Sequence, residues 1–507
     1  MVQQMLAQLE RARLRFDPQE SAQTASLIAA VARERFSDPA LLIRFHEALL
    51  FLRAYPANTE VAREADLALF SFAERTAGVP GLDEPEISGI AGTSFSAVFS
   101  YDVARQLAAV YPGRIDADWE GYDVARLAPW LPPAVPLVYE ESVEANVPYL
   151  DWLRAAKPNG QSDLGWLLQH LTPQAYDALE LPLRWNLGDS EVTRGRARIH
   201  SGNPLFLQEA PLIKRRDVSI ADAGPDLPVT ALGRDAGAAV IAETLATSAT
   251  RYRELHGFTY GDPAHVIRAD AGRGVAFYIW GVPPERRLPL RAYHCGLIAR
   301  NDVPVGYVET LTLCDRMEVG FNIYYTFREG ESAWIYARLL KLFRQLVPVT
   351  CFSVDAYQVG YLNEEAIESG AFWFYRKLGF RPVEPDPARL LAIEERRIAK
   401  DPAYRTPPRR LRRLAASAMV YAEDRTWDAF RVRNIGLALA QRMTERLSAL
   451  SLIPGLEQWS ANDKDALAAI LRAKESAEEF EYVRLTAGHA RLCQEMLRLG
   501  CAIPSSS

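Results

Sequence analysis

Cysteine is scarce in this chain. Five are present among 507 residues, Cys295, Cys314, Cys351, Cys493 and Cys501. The count is odd and no pair has CxxC spacing, which argues against a disulfide framework and for reduced thiols in a cytoplasmic protein. Three of the five fall in strand-like runs, where a free Cys behaves as a small core hydrophobe. The seven histidines show neither HExxH nor a metal-like cluster, so no metal site is expected. Long apolar runs are missing too. None approaches the ~20 residues of a membrane span, and residues 1–16 carry charges throughout, as an amphipathic helix does and a signal peptide does not. Charge of one sign is not dominant: Lys and Arg number 58 against 64 Asp and Glu, a net charge of -6. Nothing global draws the chain to nucleic acid or to an anionic membrane. No repeat of solenoid period is present.

The composition is globular, 49% hydrophobic and 24% charged, and the length calls for two or three domains. Residues 1–230 read as a mainly helical N-terminal region. Ser37-Asp38-Pro39 is a cap signal ahead of an apolar helical pattern, and residues 59–76 repeat that pattern. A Gly- and Pro-rich loop spans 78–94, residues 95–111 read as a helix, and 130–160 read as short helices punctuated by Pro. Two features here admit a functional reading. The run Gly89-Ile90-Ala91-Gly92-Thr93-Ser94 offers backbone amides to a phosphate, but it lacks a P-loop lysine, and a plain turn is favoured. Arg184, Arg194, Arg196, Arg198, Lys214, Arg215 and Arg216 form a basic cluster that suits an anion or RNA; a salt-bridged loop is favoured there.

From about residue 235 the texture changes. A helical segment is followed by strand patterns over 265–269 and 274–282, then by two strands joined at Asn301-Asp302. A longer strand over 317–327 runs into a helix from about 333. Another strand over 349–357, a helix ending near Phe380 and a last short strand complete the order. This is a mixed α/β unit with an antiparallel front and a βαβ-like back.

Ala371-Phe372-Trp373-Phe374-Tyr375-Arg376-Lys377-Leu378-Gly379-Phe380 resembles the late helix of the GNAT superfamily, A-x-x-[FL]-Y-x-K-x-G-F. Residues 317–340 are similar to that family's fourth strand, pyrophosphate loop and third helix. The resemblance spans about 150 residues and implies an acyltransferase that carries an acyl group from acetyl-CoA or another acyl-CoA to an amine. The implied donor loop is Arg328, Glu329, Gly330, Glu331, Ser332 and Ala333. Gly330 fits the first glycine of [QR]-x-x-G-x-[GA], Ser332 stands at the second, and Phe327 occupies the Gln or Arg position. Amides at a helix start can hold a diphosphate. Glu329 and Glu331 would oppose one unless they point away, and Glu331 with Ser332 would otherwise serve as a plain helix cap.

Acyl transfer needs a base for the amine and an acid for the departing thiolate. By strand alternation Glu318, Gly320, Asn322 and Tyr324 share one face, opposite Met317, Val319, Phe321, Ile323 and Tyr325. Glu318 is the first candidate base, similar in context to the strand-four glutamate of histone-acetylating members; a solvent-facing Glu is the alternative. Glu309 is the second candidate, and Gly320 is a candidate bulge that opens the sheet. Tyr375 matches the tyrosine that family members use as general acid; an aromatic core belt with Phe372, Trp373 and Phe374 is the alternative. Residues 358–367 offer polar groups for an acceptor pocket, or a cap at Asn363.

Beyond the domain, Arg405, Arg409, Arg410, Arg412 and Arg413 surround Pro407-Pro408 as a basic linker. Helical patterns follow to a C-terminus expected to fray at 503–507. The expected fold is α+β: a GNAT-like mixed sheet domain at 235–385 between mainly helical regions at 1–230 and 386–507. The expected acceptor is a small-molecule or protein amine. Two other readings stay open, transfer from aminoacyl-tRNA and a non-catalytic scaffold.

Overall fold

The structure, a computed structural model, describes residues 2–501 apart from 17, 78, 83, 85, 86, 445–452, 454 and 477. The C-terminal 503–507 segment lies outside the described residues. The chain is α+β and divides into two compact units.

The first unit comprises Met1–Pro211, Ala239–Thr259 and Asn301–Pro304. Its central helix, Pro39–Ala54, begins where Asp38 accepts from the Ala40 amide at 2.9 Å, with Pro39 at the first helical position. That helix buries charge as well as hydrocarbon. Both Glu47 oxygens accept from Arg194, at 3.0 and 3.1 Å, and His46 Nδ1 lies 3.5 Å from Glu47. Residues 94–98 form a strand rather than the start of a helix. β1 (Ser94–Val98) pairs antiparallel with β3 (Pro182–Asn186), which also pairs with β2 (Ile115–Ala117). Phe95 and Ala97 alternate inward, with Phe95 opposite Trp185, and the helix starts only at Tyr101. A period of two won over a helical reading that the aromatic and small residues also fit.

The second unit comprises Leu212–Ala238, Tyr260–Arg300 and Val305–Ser507. It is built on a nine-stranded sheet. Its strands are β4 (Val229–Ala231), β5 (Ile267–Gly272), β6 (Val275–Trp280), β7 (Ala292–Arg300), β8 (Val303–Leu313), β9 (Arg316–Ile323), β10 (Cys351–Val354), β11 (Arg381–Pro382) and β12 (Met419–Tyr421). Their order is β11-β12-β10-β9-β8-β7-β6-β5-β4. The sheet therefore takes in strands on both sides of 235–385. Asn301 and Asp302 turn β7 into β8 with φ of 49° and 63°, the type I′ geometry that matches strand twist. β9 and β10 run parallel, so the chain must cross between them, and the helix Ser332–Leu346 makes that crossing. β9 is shorter than expected: it stops at Ile323, and Tyr325–Phe327 wind into a 3-10 turn. The register of β8 with β9 runs unbroken through Glu309↔Gly320, so Gly320 hosts no bulge. The irregularity lies between Asp270 and Gly272 instead.

A segment from Leu212 to Leu227 runs along the crossing helix. Ile213 N–H donates to Glu331 Oε1 at 2.9 Å, and Arg338 Nη1 donates to Ala223 O and Pro225 O at 2.6 and 2.7 Å. Lys341 pairs with Asp226 at 2.7 Å, and Gln345 bonds both backbone groups of Leu227. Residues 331, 338, 341 and 345 fall on one helical stripe, so one face of the helix pins the whole segment.

The helix Glu479–Gly488 packs on β7 through Phe480, whose ring stacks on His294 at 3.9 Å. Both His294 ring nitrogens are buried without a partner. Burial, reinforced by Lys474, Arg287 and Arg484, pushes the imidazole down to about 3. The folded value lies below the unfolded one, so the unfolded chain takes up the proton first. Stability is then lost as pH falls below about 6.5 toward the folded value. Between pH 7 and 5 this one group should account for about 2 kcal/mol of lost stability. Urea unfolding of His294→Phe at both pH values should show the loss reduced by that amount; an unchanged pH slope would mean His294 is not the sensitive group.

Candidate functional site

The parallel pairing of β9 and β10 is short. Arg316 faces Cys351, Met317 faces Phe352 and Glu318 faces Ser353. β10 then ends at Val354 while β9 continues five residues past Glu318 to Ile323. Beyond Glu318 the described ladder of β9 is with β8 alone. Into this region comes the loop after β10. A Cβ on Gly320 would stand 3.7 Å from Gln358 Nε2 and 3.9 Å from Glu309 Cβ. Glu309, Gly320 and Gln358 are therefore neighbours. Tyr293 donates its hydroxyl proton to Glu309 Oε1 at 2.5 Å.

Glu318 lies on the same half-buried face, one diagonal step from Glu309, since it is opposite Leu311. Arg316 is 3.6 Å from it. Asn322 and Tyr307 extend this polar face, with Asn322 Nδ2 donating to the Tyr307 hydroxyl at 3.2 Å. The opposite face is core up to the strand's end: Met317, Val319, Phe321 and Ile323 are buried, but Tyr325, expected with them, is exposed and Tyr324 is buried, because the chain leaves the strand at Ile323. Asn363 caps the helix Glu364–Glu368 by accepting from Ala366 N–H at 3.1 Å.

In the loop after β9 the decisive side chain is Glu331. It is the N-cap residue of the crossing helix, yet no side-chain bond caps that helix. Its carboxylate turns inward and is fully buried. Arg273 grips it through Nη2 at 2.6 Å and Nε at 3.1 Å, and the wholly buried Arg300 adds Nη1 at 2.8 Å. Burial would raise this carboxyl, but the two guanidiniums and the Ile213 amide outweigh it and hold it below the usual carboxylate range. The amides of Ser332, Ala333 and Trp334 begin the helix uncapped. Arg328 pairs with Glu365 and lies over the Tyr325 ring. Cations gather close by. Arg215 follows Ile213 in a turn that packs on the crossing helix. Desolvation, then Arg215 and Arg405, push the Lys377 ammonium down. Among the described residues none of these three cations has a carboxylate partner.

Tyr375 is 3% exposed. Its ring lies 5.7 Å from Tyr336, 5.2 Å from Phe374 and 5.7 Å from Phe380. Burial pushes its phenol well above the ordinary value, so it stays protonated. Gly379, with φ of 103°, lets the chain leave the helix and brings Phe380 N–H to Tyr375 O at 3.2 Å. The aromatic cluster reaches β9 through Phe321, 4.7 Å from Tyr336.

The other sequence candidates resolve into structure. Arg184 pairs with Asp118 and Glu120, Arg194 with Glu47, Arg196 with Asp189 and Glu191, and Arg198 with Asp66. Gly92 N–H is spent on Gly188 O and Thr93 N–H on Ile90 O, as in a turn. Arg410 pairs with Glu394 and Arg412 with Glu364. Among the described residues no three His, Cys, Asp or Glu side chains are grouped to hold a metal ion, and no helix is long and apolar enough to cross a membrane. Sequence reasoning missed Tyr293, Arg273 and Arg300. One signal was present: Arg300 closes an otherwise almost uncharged strand run, and such a charge must find a partner.

Comparison of the chain with protein-family models, with curated proteins and with solved structures finds no match.

Neutralising Glu331 should remove the charge with which both Arg273 and the buried Arg300 pair. Glu331→Gln should cost about 3 kcal/mol or more, read as a lowered unfolding midpoint. A loss under ~1 kcal/mol, the range of an exposed pair, would show that the carboxylate does not anchor the loop.

Proposed function

We propose that the sheet-bearing unit is an acyl-CoA-dependent N-acyltransferase with a GNAT-like arrangement of its sheet. The observation that carries this reading is the inward turn of Glu331. It takes that carboxylate away from the loop surface, where Glu329 stays exposed, and leaves an uncapped helix N-terminus on a helix against which the turn carrying Arg215 packs. Such a surface favours an anion of diphosphate type. The single parallel pair with its crossing helix, and the motif ending Tyr375-Arg376-Lys377-Leu378-Gly379-Phe380, support the same reading.

Glu309 is the better base of the two carboxylates. Tyr293 orients it through one hydrogen bond, whereas Glu318 already faces the buried Arg316 cation. In the proposed step Glu309 takes a proton from the attacking amine. The amine nitrogen bonds to the thioester carbonyl carbon, the C–S bond breaks as the tetrahedral intermediate collapses, and the Tyr375 phenol gives its proton to the leaving thiolate. Gln358, beside Gly320, is positioned to donate to the acceptor or to the developing oxyanion. Aminoacyl-tRNA as donor draws no support from the basic cluster, whose arginines between 184 and 198 are ion-paired.

Calorimetry with acetyl-CoA and with longer acyl-CoAs should show binding, weakened about tenfold or more by Gly330→Val, because a side chain keeps the backbone from the diphosphate. No binding at millimolar acetyl-CoA would end this reading.

Thiol release from acetyl-CoA with a panel of primary amines tests the acid–base pair. Tyr375→Phe should lower turnover about 100-fold with the unfolding midpoint nearly unchanged. Glu309→Gln should exceed Glu318→Gln in effect, most of all at low pH, where the amine cannot deprotonate itself. A destabilised Tyr375→Phe with full activity would assign that ring to packing.

A further inference from the structure

The segment Leu212–Leu227 and the crossing helix border a cleft of about 290 Å³ that the acyl-transfer reading does not use. Ala271, Ala337 and the Trp334 indole provide apolar wall; Asp217, Asp222 and Arg338 provide charge. This volume sits below the ~300–1,000 Å³ of pockets for drug-sized ligands, so it suits a small molecule.

Arg338 is the unusual member. It is 6% exposed. Its Nη1 is occupied by two carbonyls, but its Nε is buried with no partner. Its Nη2 donates to no protein group among the described residues. The one carboxylate whose field acts on it, Asp226, is held at 2.7 Å by Lys341. A guanidinium this buried, whose Nη2 bonds no protein group among the described residues and whose nearest carboxylate is shared with Lys341, is favoured by an anion placed at Nη2. The other charge in the cleft has the opposite sign. Asp222 has no cation partner among the described residues, and Asp217 has only the exposed Arg216 at 3.7 Å. A simple anion would satisfy Arg338 and be repelled by both aspartates. A simple amine would satisfy the aspartates and be repelled by Arg338.

We infer that this cleft binds a small zwitterion with the chemistry of a free α-amino acid, its carboxylate on Arg338, its ammonium toward Asp217 and Asp222, and its side chain against Trp334. Carboxylate and guanidinium form charge-assisted hydrogen bonds, about twice as strong as neutral ones. Indole beside the ammonium adds a cation–π attraction.

The test uses the full chain without acyl-CoA, so that its outcome is separate from that of the acyl-transfer reading. Saturation-transfer NMR and calorimetry would be run with glycine, L-leucine, L-phenylalanine, L-glutamate and L-lysine, and with acetate, methylammonium and inorganic phosphate as single-charge probes. At least one amino acid should bind about tenfold or more tighter than acetate and methylammonium. Asp222→Asn should weaken that amino acid about tenfold and leave acetate as tight or tighter, since one repelling charge is gone and the Asp222 carboxylate bonds no other group among the described residues. Arg338→Gln should remove amino acid and acetate alike; the Asp222 variant carries the test if loss of the two carbonyl bonds unsettles the segment. Absence of amino-acid binding, binding unaffected by Asp222→Asn, or acetate or phosphate binding as tightly as any amino acid would overturn the inference.

Discussion

One buried carboxylate organises the sheet-bearing unit. Glu331 collects Arg273 from the turn between β5 and β6, Arg300 from the end of β7, and the Ile213 amide from the segment laid along the crossing helix. Four stretches of chain, far apart in sequence, meet on two oxygens. Burying three charges carries a desolvation cost that their attraction must offset, so such a cluster is weak evidence of stability by itself. Its value is geometric. A carboxylate with several donors in fixed directions admits one arrangement of its partners, whereas apolar contacts at the same place would tolerate sliding.

The stripe on the crossing helix extends that constraint. Arg338, Lys341 and Gln345 repeat at helical spacing what Glu331 does at the helix start, each fastening the next part of Leu212–Leu227. The segment contains no long helix or strand until β4, so side chains of the crossing helix hold its backbone groups where a ladder would otherwise do so. It also gives Arg338 two sides: one nitrogen is structural, and the residue lines a cleft.

Much of the fold was legible because its signals act over a few residues. The Asp38 cap, the Asn301-Asp302 turn, the hairpin of β5 and β6, and the strand–helix order around the crossing helix all declare themselves locally. The failures had local causes as well. At 94–98 two periodicities competed, and at Tyr325 a strand-like run wound into a turn. The candidate site was half legible. Glu309, Glu318 and their shared face follow from alternation, but the hydroxyl of Tyr293 on Glu309 and the two arginines on Glu331 do not. Those partners lie 16, 58 and 31 residues away, and no local rule couples residues at such distances. The inward turn of Glu331 could not be foreseen for that reason, although its sign decides whether the loop repels or accepts an anion.

That turn also breaks a local rule. A Glu at the start of a helix ordinarily interacts with the first amides, and a missing side-chain cap costs on the order of 1 kcal/mol. Here the carboxylate is spent on Arg273 and Arg300, and Ser332, Ala333 and Trp334 are left without a side-chain cap. Arg273 and Arg300 both pair with this one carboxylate. The helix dipole contributes roughly half a positive charge at the same end, and the turn carrying Arg215, which has no carboxylate partner among the described residues, packs on this helix. Rules of local consistency fail most often where a ligand completes the balance. At the start of the crossing helix, the proposed acyl-CoA diphosphate is the partner that would complete it.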